Sequence, residues 1–177
     1  MNITKPSVTG VDIPIQKLQT VLYNQIKALW PVTDSNFNLY GRAYRNQLKD
    51  GYIQEIYTAT GEYKDSYFDD TLYGSGFFGL ESVKVNDLDA VASVYLILMV
   101  NLDLIKPGTT RNDEEVRIDV ERICMNHQFG FLLTGIVTGI DQVFKGYDIK
   151  GIKFRDMQPY HCFRLNFQLT YNIYDSN

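Results

Sequence analysis

The chain is short of the residues that carry most recognisable chemistry. Its two cysteines, Cys124 and Cys162, are too few for a disulfide scaffold, and neither belongs to a Cys-x-x-Cys pair that would begin a zinc site. A reducing compartment suits that usage. The two histidines, His127 and His161, stand in no His-x-His or His-x-x-Glu-His spacing, so no zinc or iron site is signalled. Basic residues are not in excess: 17 Lys and Arg against 21 Asp and Glu give a net charge of -4. That balance lacks the whole-domain basic footprint with which proteins grip a nucleic-acid backbone. Long apolar runs are missing too. The most apolar stretch, Val91 to Val100, falls far short of the roughly 20 residues that a membrane helix needs, and residues 1–9 hold no signal core. The expectation is a soluble protein without a classical export signal. No Walker loop, Gly-x-Ser-x-Gly elbow, internal repeat, low-complexity tract or long linker occurs, which leaves residues 1–177 as one folding unit.

Aromatic residues are what the chain has in abundance. Thirteen Tyr and ten Phe stand against one Trp, in a chain 45% hydrophobic and only 21% charged. Such a composition predicts β-rich structure whose strands are partly exposed or meet a partner. At 177 residues the chain is long enough for one domain with a sizeable core.

Hydrophobic spacing locates the elements. Ile15, Leu18, Leu22, Ile26 and Leu29 recur every three or four residues, predicting an amphipathic helix over 13–30, capped by Asp12, with Pro14 in its first turn and Pro31 barring continuation. Residues 37–85 switch to short Tyr-, Phe- and Ile-rich runs punctuated by glycine. Tyr52–Tyr57 and Tyr63–Phe68 read as a hairpin turning at Ala59-Thr60-Gly61-Glu62. Val91 to Leu104 begins as a continuous apolar run and ends alternating, as a central strand covered on both faces would. A second helix is expected from about Asn112, with Asp113, Glu114 and Glu115 opposing its positive end and Val116, Val120, Ile123 and His127 as its inner stripe. Between Gly130 and Gly139 strand and helix compete, and Ile136, Ile140, Val143 and Phe144 fit a helical face. The strand from His161 to Tyr174 alternates strictly: Phe163, Leu165, Phe167, Leu169 and Tyr171 against Arg164, Asn166, Gln168 and Thr170. These elements predict an α/β (α+β) single domain with a curved, mostly antiparallel sheet flanked by two or three helices.

Gly74-Ser75-Gly76-Phe77-Phe78-Gly79 spells the G-x-G-x-x-G of dinucleotide-binding turns, but Leu80-Glu81-Ser82-Val83-Lys84-Val85 alternates like a strand where that motif needs a helix. A bulged or flexible loop is the expected role. A Cys-His nucleophile pair would have to join Cys124 or Cys162 to a histidine across space. The acidic groups Asp69-Asp70, Asp87-x-Asp89 and Asp113-Glu114-Glu115 suit a turn, a loop and a helix start respectively. No metal or cofactor is therefore expected. Charge is unevenly spread: residues 50–90 hold nine acids and two lysines, net -7, whereas residues 145–164 hold five bases and two acids, net +3.

The element order, together with Arg111-Asn112-Asp113-Glu114-Glu115 and Asp156-Met157-Gln158-Pro159-Tyr160-His161-Cys162-Phe163-Arg164-Leu165-Asn166-Phe167, resembles tail-completion or tail-terminator (neck) proteins of tailed bacteriophages and their prophages. The resemblance implies a non-enzymatic virion subunit, in the host cytoplasm during assembly, whose copies form a homo-oligomeric ring on the tail tube. That ring would meet head-completion or connector proteins, let DNA pass without specific binding and touch no membrane. Under that reading residues 1–12 form an N-terminal arm. The glycine- and aromatic-rich segment 69–79 is an extended loop presenting Tyr73, Phe77 and Phe78 to a neighbour, with Lys153 and Arg155 meeting the neighbour's acids. Two other functions fit the composition: a glycan-binding module built on aromatic strands, and a hydrolase using Asp87 and Asp89 with His161.

Overall fold

The computed structural model describes residues 1–61, 63–65, 69, 71–108, 112–149 and 158–174. In chain order the elements are β1 (Asn2–Ile3), α1 (Asp12–Leu29), β2 (Phe37–Arg42), β3 (Tyr44–Leu48), β4 (Gly51–Tyr57), β5 (Tyr63–Asp65), β6 (Gly74–Asn86), β7 (Asp89–Asn101), α2 (Leu102–Ile105), α3 (Asp113–Asn126), β8 (Phe131–Thr138), α4 (Ile140–Val143) and β9 (Tyr160–Asn172). Six strands make the main sheet in the order β1-β2-β6-β7-β9-β8, and β3-β4-β5 make a second sheet of three. The β6, β7, β9 and β8 neighbours run antiparallel, while β1, β2 and β6 run parallel. The fold is thus mixed α/β in a single domain, as the sequence predicts.

The strand β7 explains the apolar run of the sequence. Val94, Leu96, Leu98 and Val100 face α1 and α3, and Tyr95, Ile97 and Met99 face Ile56 of β4 together with Val143, Phe144 and Tyr147 around α4. With both faces covered there is no side on which alternation could leave a polar residue. Burying each of these large side chains contributes about 1.5–3 kcal/mol. On the helix side Ile15, Leu18, Leu22 and Ile26 of α1 and Val116, Val120, Ile123 and Cys124 of α3 complete the larger core. The sole tryptophan, Trp30, ties the two helices by donating from Nε1 to Asp119 Oδ2 at 2.9 Å.

Several local expectations are corrected. Asp12 does not cap α1: Val11 holds that position, and the Asp12 carboxylate instead accepts from Arg42 Nε at 2.6 Å and Nη2 at 3.0 Å. Leu29, counted on the inner stripe, is half exposed because it lines an open cleft with residues of α3. The strand that starts before Val91 ends at Asn101. Asn101 Oδ1 accepts from the Leu104 amide, so Leu102 and Leu104 enter the short helix α2. Gly130–Gly139 resolves as strand β8, paired with β9 from Phe131↔Leu169 to Thr138↔Phe163, and only Ile140–Val143 is helical. A register shift between Leu133 and Gly135 breaks the period of two there, and the remaining spacing resembles a helical face. His127 lies at the helix C-cap, one residue beyond α3. The expected arm at 1–12 is instead fixed to the body, since β1 pairs with β2 and Ile3 and Val8 are buried. The β4–β5 hairpin forms with Tyr57↔Tyr63 and Glu55↔Asp65; residues 66–68 of its expected second strand lie outside the described residues.

Candidate functional site

The segment expected to be an exposed arm is the middle of the sheet. Gly74–Phe78 pairs with β2 on one side, and β6 pairs with β7 along its length on the other. Phe77 and Phe78 point to opposite faces of that sheet and are 1% and 0% exposed, one in each core. Tyr73 is half buried. Its amide donates to Asn36 O at 2.7 Å and its carbonyl accepts from Asn101 at 2.8 Å. Phe77 and Phe78 are not offered to a partner, because glycine-rich sequence here serves a strand and not a loop, and Tyr73 packs in part against the helix-side core. Lys153 and Arg155 lie outside the described residues.

The glycines have a packing role. A Cβ on Gly76 would lie 2.6 Å from Leu98 Cδ2 and 2.8 Å from Ile97 O, and a Cβ on Gly79 would sit inside van der Waals contact with Tyr95 Cζ, Oη and Cε2. The Tyr95 ring lies across the space that a side chain at 79 would fill. Its hydroxyl shares a buried hydrogen bond with Tyr147, and the Arg164 guanidinium stacks 3.9 Å above the ring centroid. Burial holds both phenols well above their ordinary pKa, so they stay neutral.

Arg164 also reaches Glu81, and that ion pair is the key to the next segment. Register along β6 and β7 slips between Leu80↔Val94 and Ser82↔Ser93, leaving Glu81 as the extra residue of a bulge. Beyond it the sheet faces are exchanged. Val83 and Val85 stand opposite Ala92 and Ala90, on the face where Val94 belongs to the helix-side core. From Glu81 to Asp89 every residue is exposed. Since β2 pairs only as far as Phe78, this part of β6 is also a sheet edge. The hairpin ends in the two-residue turn Asp87-Leu88 between Asn86 and Asp89, with Asp87 at φ 51°. Val83, Val85 and Leu88 are 40%, 61% and 62% exposed. The projection is apolar on one face and acidic at its tip. Sequence reasoning saw alternation in 80–85 but had no sign of the bulge that decides where it points.

The chemistry considered for other functions does not converge. Asp89 pairs with Asn172 and Val100 with His161, so 11 residues of β7, about 36 Å at the rise of a strand, separate the Asp87–Asp89 turn from His161. The hydrolase arrangement of those three residues is thereby overturned. Cys124 and Cys162 are buried, and burial, reinforced by Glu121, pushes the Cys124 thiol up to about 12, the opposite of an activated nucleophile. Among the described residues no three His, Cys, Asp or Glu side chains gather as a metal would require, and no helix is long and apolar enough to cross a membrane. The acidic and basic stretches meet inside one chain at Arg164–Glu81, so that pair is spent within the fold. No protein-family model matches the chain, and no curated protein matches it.

Proposed function

We propose that the protein is a non-enzymatic structural subunit of a phage tail or neck, whose copies form a ring that terminates the tail tube and joins it to the head. The observation that carries this reading is the β6–β7 hairpin from Glu81 to Asp89, an ordered projection with Val83, Val85 and Leu88 turned outward. A monomeric protein gains nothing from holding aliphatic side chains in water on a pinned strand pair. Covering them in an assembly contributes about 25 cal/mol for each Å² removed from solvent. The layout resemblance to tail-terminator proteins points the same way. In a ring the tail tube and the head-completion or connector proteins are the neighbours above and below. The net charge of -4 suits a ring through which DNA slides without being held. Size-exclusion chromatography with light scattering, combined with negative-stain imaging of the full chain, tests the proposal. A closed ring of discrete mass is expected, and a monomer at every concentration and salt would overturn it.

A further inference from the structure

The helix side of the molecule carries a second unusual surface. Between α1 and α3 lies a cleft of about 200 Å³ lined by Leu29, Arg122, Asn126 and His127, among others. Leu29 on its wall is 51% exposed, and Ile123 lies buried at its floor. Phe129, also exposed, is held at φ 42°, a conformation that bulky residues rarely adopt, and stacks on His127 with ring centroids 6.4 Å apart. Inside the cleft Asp119 is already engaged, accepting from Trp30 Nε1 and pairing with Lys106 at 3.0 Å. Arg122, by contrast, is exposed and has no hydrogen-bond or ion-pair partner among the described residues. The cleft therefore presents the unpaired Arg122 guanidinium beside an exposed Leu29.

The hairpin tip is its chemical complement. Leu88 and Val85 are the most exposed aliphatic side chains there, and the carboxylates of Asp87 and Asp89, on either side of Leu88, have no hydrogen-bond or ion-pair partner among the described residues. We infer that the β6–β7 hairpin of one copy inserts Leu88 into the α1–α3 cleft of the next copy, with Asp87 and Asp89 placed against its Arg122. This rests on the ring reading and names its contact. The two patches are different surfaces of the same chain, so the contact is heterologous: repeated from copy to copy it closes a ring or grows a filament. Opposite charge at a rim sets register and speeds encounter, whereas the buried leucine supplies the hold.

Charge reversal on the full chain tests it. Arg122→Glu alone, and Asp87→Lys with Asp89→Lys alone, each leave one sign facing itself and should raise the half-assembly concentration by about tenfold or more, measured by light scattering. Mixing the two variants should restore assembly. The lysine hairpin then meets the glutamate cleft and the native hairpin meets the native cleft, giving an alternating ring. A second measurement stands apart from charge: Leu88→Cys combined with Leu29→Cys, oxidised, should give a disulfide ladder extending beyond the dimer, while each single variant gives none. Normal assembly by both charge variants, with no ladder, would refute the docking and leave the ring standing. A wild-type chain that stays monomeric refutes both. A cross-link that stops at the dimer refutes the heterologous arrangement.

Discussion

Replacing Gly79 by alanine isolates one contact that the fold depends on. The new methyl group would fall closer to Tyr95 Cζ, Oη and Cε2 than the 3.0 Å that real Cβ atoms respect. The ring cannot simply step aside. Tyr95 is 1% exposed, its hydroxyl is bonded to Tyr147, and Arg164 covers its face. Overpacking of this kind costs about 1–3 kcal/mol, and displacing the ring forfeits the Tyr95–Tyr147 hydrogen bond, worth about 1 kcal/mol. Against that, alanine in a strand recovers about 0.5–1 kcal/mol of backbone entropy relative to glycine. The balance is a loss of about 2–3 kcal/mol. For a chain of this size that lowers Tm by roughly 5–10 °C. Urea unfolding followed by Trp30 fluorescence measures the loss, and a cycle with Tyr95→Ala assigns it: without the ring, Gly79→Ala should cost almost nothing. Gly135→Ala is the control, because a Cβ there meets nothing within 4 Å. A Gly79→Ala stability within about 0.5 kcal/mol of wild type, or an equal cost in the Tyr95→Ala background, would refute the reasoning.

Arg164→Ala should destabilise by about 2 kcal/mol, since it removes the stack on Tyr95 and the buried stem, while its pairing with the half-exposed Glu81 is screened and adds little. The same variant should speed amide exchange in residues 80–86 by releasing the bulge, and unchanged exchange there would count against the pinning role. Cys124 sets a pH dependence. Burial raises its thiol from 9.0 to about 12, so the folded chain keeps a proton that the unfolded chain has lost, and this contribution to stability, fully present below pH 9, declines as pH rises toward 12. Substituting Cys124 by alanine should flatten that segment of a stability profile, and the native thiol should resist an aromatic disulfide reagent at pH 8 until the protein unfolds.

The parts of the fold that were legible in the sequence are those governed by one neighbour. The α1 stripe of Ile15, Leu18, Leu22 and Ile26 meets a single sheet face, so its spacing reports helix and burial together. In β9, Phe163, Leu165, Phe167 and Leu169 alternate because the helix side of the sheet is dry at every position. Where two neighbours compete, the pattern misleads. In β8 the register shift between Leu133 and Gly135 breaks the period of two and leaves residues 131–143 looking helical. Gly74–Gly79 carries aromatics among glycines because Tyr95 and Leu98 of the next strand need the room, a cause lying about twenty residues away in sequence. A nucleotide motif and a packing accommodation are spelled with the same letters.

The hairpin shows why a candidate interface was harder to read than a core. Before the bulge, Phe78 and Leu80 point to the helix side, and an unbroken strand would continue that row with Ser82 and Lys84. The apolar valines would then lie on the other face. One inserted residue, Glu81, reverses this, and the charge that holds Glu81 in place is Arg164, 83 residues further along the chain and on the opposite face of the sheet from Phe163. The side on which Val83 and Val85 emerge is therefore set by where the bulged residue falls, not by local propensity. Glu81→Ala, which removes the Arg164 contact to the bulge, should loosen the aim of the hairpin while leaving both cores intact. Wild-type thermal stability combined with lost assembly would separate the role of this segment in association from its role in folding, whereas unchanged assembly would show that the bulge does not aim the hairpin.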